Sequence, residues 1–313
     1  MRILITGSAG YLGSKLVTKL KVREDVQIFG IDVKKPPNEK DYELFVLGSV
    51  VDQRILQKLF EAAQADIAIH LAFAVNPLHD EKKEVEIDIK GSEFFLEGCR
   101  KHQVKKVIFM SSAAAYGAHP DSRLPYTEDS PVRGNDSYIY SRLKAATDRI
   151  AHKFAQENPA CKLVLLRPCL FLGPNTSNSF FEVLKFPFFP QILDASGRRD
   201  PGFQFIHEED MASCMLAAID KNVQGDFNIA PDDTVKLSEI AKMAHKRCLA
   251  MPLWLLQVVT FFLWKCHLIG APPGQLDFMR YSWVMDNSKL KKELYQPQYS
   301  SSQALREFLD AKK

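Results

Sequence analysis

The stretch RILITGSAGYLGSKL (residues 2–16) decides the fold. It opens with a short, nearly all-apolar run that stops at Gly7, the pattern of a strand buried on both faces. From Tyr11 onward, apolar residues recur at helical spacing through YLGSKLVTKLK (11–21). Between the two lie Gly7, Gly10 and Gly13, spaced G-x-x-G-x-x-G. Gly7 permits the tight turn, Gly10 lets the backbone approach a pyrophosphate, and Gly13 lets the helix pack close to the strand. Tyr11 and Leu12 open a helix whose unpaired N–H groups face that pyrophosphate. A second apolar run, VQIFGID (26–32), ends in Asp32, about 20 residues on. A carboxylate there accepts hydrogen bonds from an adenosine ribose and repels a 2′-phosphate. The pattern therefore predicts NAD rather than NADP, with Lys34 and Lys35 close enough to keep NADP open.

Working outward, apolar runs alternate with helical patterns. Strands are predicted at YELFVLG (42–48), ADIAIHLA (65–72), KKVIFMSS (105–112) and KLVLLRP (162–168). Helices are predicted at DQRILQKLFEAA (52–63), KEVEIDIKGSEFFLEGCRKH (83–102) and around Tyr140. Such alternation means an α/β chain with a Rossmann-type, doubly wound parallel sheet. After 168 the alternation weakens, Pro and Phe crowd 171–205, and one further strand is expected near GDFNIA (225–230), followed by helices to the end. The expected division is a dinucleotide-binding domain of 1–170 plus about 203–230. A smaller C-terminal substrate-binding lobe would comprise 171–202 and 231–313.

The chain has 313 residues and a formal charge of +3, with no Lys/Arg block interleaved with aromatics, so nucleic acid is not an expected partner. Six cysteines are widely spaced, with no C-x-x-C pair, which reads as reduced thiols in a reducing, cytoplasmic setting. No leader is expected ahead of a strand that begins at residue 2. The apolar MPLWLLQVVTFFLWKCHLIG (251–270) is interrupted by Gln257, Thr260 and Lys265, short of the roughly 20 clean apolar residues of a membrane span. It is expected to be core or lid, a membrane-interface contact, or a subunit contact.

SYIYSRLKAA (137–146) carries two tyrosines and a lysine. Tyr140 and Lys144 are four apart and share a helix face. A lysine there is expected to lower the phenol pKa, which starts near 10, so that Tyr140 can pass a proton to or from a substrate oxygen. MSSAAAYG (110–117) ends the fifth strand at the sheet edge where ligands bind, and a serine there can hold the same oxygen.

With TGSAGYLG, IHLA (69–72), SSAAAYG (111–117), YSRLK (140–144), RPCLFLGP (167–174) and FIHEEDMA (205–212), the chain resembles the extended short-chain dehydrogenase/reductase superfamily, NAD-dependent epimerase/dehydratase group, nearly end to end. The resemblance implies Tyr140 as catalytic acid/base, Lys144 as the residue holding the nicotinamide ribose, and Ser112 as the substrate-orienting serine. It implies cofactor contacts at Ser49, Val50, Leu71, Ala72 and Pro168, and substrate contacts at Ala74, Ala114, Leu170 and Arg198. His207, Glu208 and Asp210 match a structural motif, and no metal is expected. A homodimer built on the 83–102 and Tyr140 helices is also implied.

Departures narrow the activity. Ala113 and Ala114 stand where dehydratases of the family carry an Asp-Glu pair, so dehydration is not expected. Leu170 replaces an asparagine that touches a nucleotide-sugar diphosphate, and Ser49 replaces the adenine-side aspartate. Three functions stay open. The first is an NAD(P)-dependent oxidoreductase moving a hydride at a secondary alcohol or ketone of a small molecule. The second is a nucleotide-sugar epimerase with tightly bound NAD, and the third a non-catalytic NAD-binding sensor.

Overall fold

The computed structural model describes residues 1–176 and 179–312. Its first half follows the predicted order. Strand β1 (Arg2–Thr6) leads to α1 (Tyr11–Leu20), β2 (Gln27–Asp32), β3 (Leu44–Leu47), α2 (Gln53–Ala63) and β4 (Ile67–His70). Helices α3 (Glu81–Val85) and α4 (Gly91–Lys101) are joined by a π-helical turn, Glu86–Lys90. Strand β5 (Lys106–Met110), α5 (Ile139–Glu157) and β6 (Lys162–Pro168) follow. The remaining elements are β7 (Leu170–Leu172), β8 (Phe188–Asp194), β9 (Gly197–Arg198), β10 (Gly202–Phe203), β11 (Phe205–His207), α6 (Glu208–Asp220) and β12 (Gly225–Ile229). After them come β13 (Val235–Lys236), α7 (Leu237–Met243), β14 (Arg247–Pro252), α8 (Leu253–Lys265), α9 (Asp277–Arg280) and α10 (Ser301–Asp310).

Seven strands form one parallel sheet in the order β12-β6-β5-β4-β1-β2-β3. The apolar runs explain why it is covered on both faces. Ile3 and Ile5 enter one core with Leu16 of α1 and Met211 of α6, while Leu4 between them enters a second core with Leu56 of α2 and Phe95 of α4. The chain winds outward from β1 through β2 to β3, then returns to β4 and winds the other way. The crevice between the ends of β1 and β4 is thus the switch point at which ligands bind in such sheets.

The predicted 83–102 helix is present but broken in its middle. The π turn buries Asp88 and seats Gly91 so close to Val50 that a Cβ would lie 2.7 Å from its Cγ2. One expectation for the C-terminal part is corrected, and of the roles left open for 251–270 the core is excluded. Strands as well as helices follow residue 230, because β14 pairs with β8 in a three-stranded sheet, β14-β8-β9. The apolar segment also does not become core. Among the residues of α8 only Leu256 is buried, while Trp254 is 65% and Phe262 62% exposed. Thirteen residues span about 20 Å, and no described helix is long and apolar enough to cross a membrane.

Candidate active site

The glycine turn is fixed by close backbone contact. Gly7 has φ +69°, and a Cβ on it would lie 2.8 Å from the Ala72 nitrogen. A Cβ on Gly13 would lie 2.2 Å from the Gly7 carbonyl oxygen. Asp32 braces the turn: its carboxylate accepts from the N–H of Ala9 and of Lys34, each at 3.0 Å. Gly10 caps α1 with no side-chain acceptor, and the first turn holds no acid. The helix N–H groups are therefore left for an anion, and the Tyr11 hydroxyl is buried without a partner beside them. This cradle fits a dinucleotide pyrophosphate.

At the ends of β5 and α5, Ser112, Tyr140 and Lys144 come together. Ser111 is committed elsewhere: its hydroxyl donates to Asp148 at 2.8 Å, and the buried Arg167 guanidinium donates to the same carboxylate at 2.8 and 2.9 Å. That network clamps β5, α5 and β6, and leaves Ser112 as the serine facing the tyrosine. The Ser112 oxygen accepts from the Ala114 N–H at 3.1 Å and bonds the Tyr140 phenol. Tyr138 packs edge-on against Phe278, its ring centroid 5.5 Å away.

The phenol pKa departs from expectation. Burial pushes Tyr140 up to about 12, opposed by the Ser112 bond and assisted by the Asp88 charge. The expected lowering by lysine is absent because Lys144 Nζ points elsewhere, donating to the Met110 carbonyl at 3.0 Å and lying 3.1 Å from the Phe73 ring centroid. Burial in turn lowers Lys144 to about 7, against the pull of Asp88 and Asp148. Behind them the fully buried His70 is held neutral, lowered to about 3 by burial and by the Lys144 charge. Its ring bonds Thr6 Oγ1 at 2.7 Å and Ser92 Oγ at 3.2 Å.

One cavity of about 610 Å³ joins these parts. Its lining includes Gly7, Gly10, Tyr11, Leu12, Gly13, Asp32, Ser49, Val50, Leu71 and Ala72, and also Ala74, Ser112, Ala114, Tyr140, Lys144, Pro168 and Leu170. Arg198 is the exception and corrects the expectation for it. It sits exposed on β9 at the outer edge of the small sheet, carried off by the β8–β9 hairpin, and does not line the cavity. His207, Glu208 and Asp210 lie outside it as well. His207 bonds Glu307 at 3.0 Å, Glu208 meets Lys15 at 2.6 Å, and Asp210 accepts from the N–H groups of Gln298 and Tyr299 at 2.9–3.0 Å. Lining residues without a sequence signal include Phe73, Leu78, Thr176, Phe180, Gln275, Phe278 and Trp283. Phe73 and Thr176 come just after the IHLA and RPCLFLGP stretches, and the others arrive from loops and short helices with no motif around them.

The profile described as "NAD dependent epimerase/dehydratase family" matches residues 3–230. The chain belongs to that family. A UDP-glucose 4-epimerase of Erwinia amylovora is 28% identical over 255 residues, covering 70% of this chain and 74% of that protein. An uncharacterised protein of Mycobacterium tuberculosis is 22% identical over 315 residues, covering 98% of this chain and 82% of that protein. Among solved structures, the Thermotoga maritima UDP-glucose 4-epimerase with UDP-glucose has a TM-score of 0.76 at 21% identity, covering 99% of this chain and 98% of that one. The Thermus thermophilus UDP-glucose 4-epimerase with NAD has a TM-score of 0.74 at 22% identity, with the same coverage. At these identities the structural likeness speaks for the fold, a seven-stranded parallel sheet of the Rossmann type.

Proposed function

We propose that this epimerase/dehydratase-family enzyme is an NAD-dependent oxidoreductase that interconverts a secondary alcohol and a ketone on an uncharged, largely apolar small molecule. The observation that carries the substrate class is the make-up of the cavity wall. Among the described residues, Lys34 and Lys144 are its only Lys or Arg. Lys34 stands beside Asp32 at the adenosine end, and Lys144 lies under Tyr140. The opposite end is walled by Tyr138, Leu170, Phe180, Phe278 and Trp283, with the uncharged Ser179 and Gln275 among them. A diphosphate moved there from water would have no cation to pair with, and a buried unpaired anion is strongly unfavourable.

When bound, a nicotinamide cofactor would supply the hydride chemistry. Gly10, Gly13 and the start of α1 would hold its pyrophosphate, and Asp32 its adenosine ribose. Ser112 and Tyr140 hold the substrate oxygen. Tyr140 gives that oxygen a proton in reduction and takes one in oxidation, and Lys144 positions the ribose. In the cofactor-free enzyme the high phenol pKa keeps Tyr140 protonated, ready to act as the acid. Residues 1–170 with about 203–230 serve the dinucleotide in this reading, and 171–202 with 231–313 the substrate.

A nucleotide-sugar epimerase is the second reading, supported by the UDP-glucose 4-epimerases among the relatives. The two separate on cofactor retention. Protein purified without added nucleotide is denatured, and anything released is identified by mass spectrometry. An empty protein that binds NAD reversibly and forms NADH from apolar secondary alcohols supports the oxidoreductase. Stoichiometric NAD, with epimerisation of a UDP-sugar and no NADH formed, overturns it.

A further inference from the structure

We propose that α8 is a docking surface for an anionic lipid bilayer, lying in the plane of the interface beside the mouth of the cavity. A helix on a soluble surface ordinarily turns polar residues outward. Here the outward face is mostly apolar, with Gln257 and Lys265 the exposed polar residues of the helix. Trp254, Val258 and Phe261, spaced four and three apart, share one stripe, and Phe262 widens it. Leu249 in the strand before the helix and Leu268 after it are exposed too. A continuous exposed apolar surface rimmed by polar groups marks a contact site.

Charge selects the occupant. From residue 240 to 276 the sequence holds Lys242, Lys246, Arg247 and Lys265 and no Asp or Glu. Lys242, Arg247 and Lys265 are exposed, and none has an ion-pair partner among the described residues. The nearby Glu182 is already paired with Lys185 at 2.6 Å. Two copies meeting through this face would bring like charges together, whereas an anionic leaflet attracts each of them. An apolar helix face with tryptophan and phenylalanine, flanked by lysine and arginine, is the composition that settles at a headgroup boundary. Its length excludes a span and suits lying flat.

Position gives the contact a purpose. The Trp264 ring stacks on His79 with centroids 3.4 Å apart, and His79 follows Leu78 of the cavity wall. A bilayer against α8 would therefore sit next to the opening through which an apolar substrate enters. This last point rests on the proposed substrate class, but the docking itself does not.

The test is co-sedimentation of the full chain with phosphatidylcholine vesicles with and without phosphatidylserine. Binding is expected with phosphatidylserine, weakened by salt, and at least tenfold weaker in Phe261→Ser/Phe262→Ser and in Arg247→Glu/Lys265→Glu. NAD titration and thermal melting of these surface variants confirm that they fold. Brominated lipid should quench wild-type tryptophan fluorescence more than that of Trp254→Phe. Absence of binding at low salt overturns the proposal. So does binding that both double variants retain, or a dimer in solution that Phe261→Ser/Phe262→Ser dissociates without any vesicle binding. None of these readouts uses turnover, so failure of the oxidoreductase reading leaves the docking result intact.

Discussion

At the dinucleotide end of the cavity, Gly7, Gly13 and Asp32 each answer to backbone atoms of neighbouring residues or adjacent strands, at 2.2–3.0 Å from a glycine's missing Cβ or a carboxylate oxygen. At the opposite end, Tyr138, Phe278 and Trp283 meet through side-chain rings 5.1–5.5 Å apart, brought from distant parts of the chain. The first end is set by backbone geometry, which tolerates few alternative residues. The second is set by shape and polarity, which many apolar residues can satisfy. Under the proposed function, cofactor binding belongs at the first end and choice of substrate at the second.

The largest expected effect falls where the two ends meet. Tyr140→Phe removes one hydroxyl and keeps the ring, so NAD binding should be unchanged while kcat falls by about 10²–10⁴. Steady-state rates with a matched NAD titration check this. A variant that turns over normally would remove Tyr140 from the proton transfer and leave the two ends unconnected.

Lys144 comes next. Its folded pKa of about 7 lies below the 10.5 of an ordinary lysine, so between those values the unfolded chain binds more protons than the folded one. Stability from this group therefore rises as pH climbs from about 7 to 10, and the burial penalty is fully present below that window. Lys144→Met should stabilise the cofactor-free protein at neutral pH by on the order of 4 kcal/mol, an upper bound since Asp88 and Asp148 lose their partner. Melting temperatures should converge toward pH 10. Parallel melting curves across that range would mean that the lysine is not held in a desolvated site.

Gly13→Ala probes the backbone-set end directly. Its Cβ meets the Gly7 carbonyl oxygen and the Ser8 backbone, and neither can move without opening the turn that Asp32 braces. A loss of roughly 1–3 kcal/mol in stability is expected, together with weaker NAD binding, by melting and titration. A tolerated alanine would show that the turn is looser than its contacts imply.

What could be read from the sequence divides along the same line. Strand periodicity, glycine spacing and the Tyr140–Lys144 interval are local; the first placed the parallel sheet, and the other two placed residues on the cavity wall. The orientation of Lys144 was not legible, because Met110 and Phe73 draw its ammonium from separate strands and loops. Arg198 was misplaced because sequence proximity to the cavity strands says nothing about which way the β8–β9 hairpin turns. The apolar 251–270 run gave its composition but not its exposure, since hydrophobicity alone does not distinguish a core helix from one awaiting a lipid or protein surface. Phe278 and Trp283 carried no signal at all.

The smallest effect should come from Trp283→Phe. The indole is buried on the cavity wall, and its Nε1 has no hydrogen-bond partner among the described residues. Replacing it forfeits no hydrogen bond in the free protein and keeps an aromatic ring against Phe278, so stability should change by about 1 kcal/mol or less. A buried donor left unpaired is unfavourable until something accepts from it, and a substrate oxygen entering this end of the cavity would do so. The variant should then raise KM for the alcohol while leaving kcat and NAD affinity nearly unchanged, since the contact is equally strong in the ground and transition states. Equal falls in kcat and kcat/KM would instead place the indole in the transition state beside Tyr140, and the separation between a chemical end and a recognition end would fail.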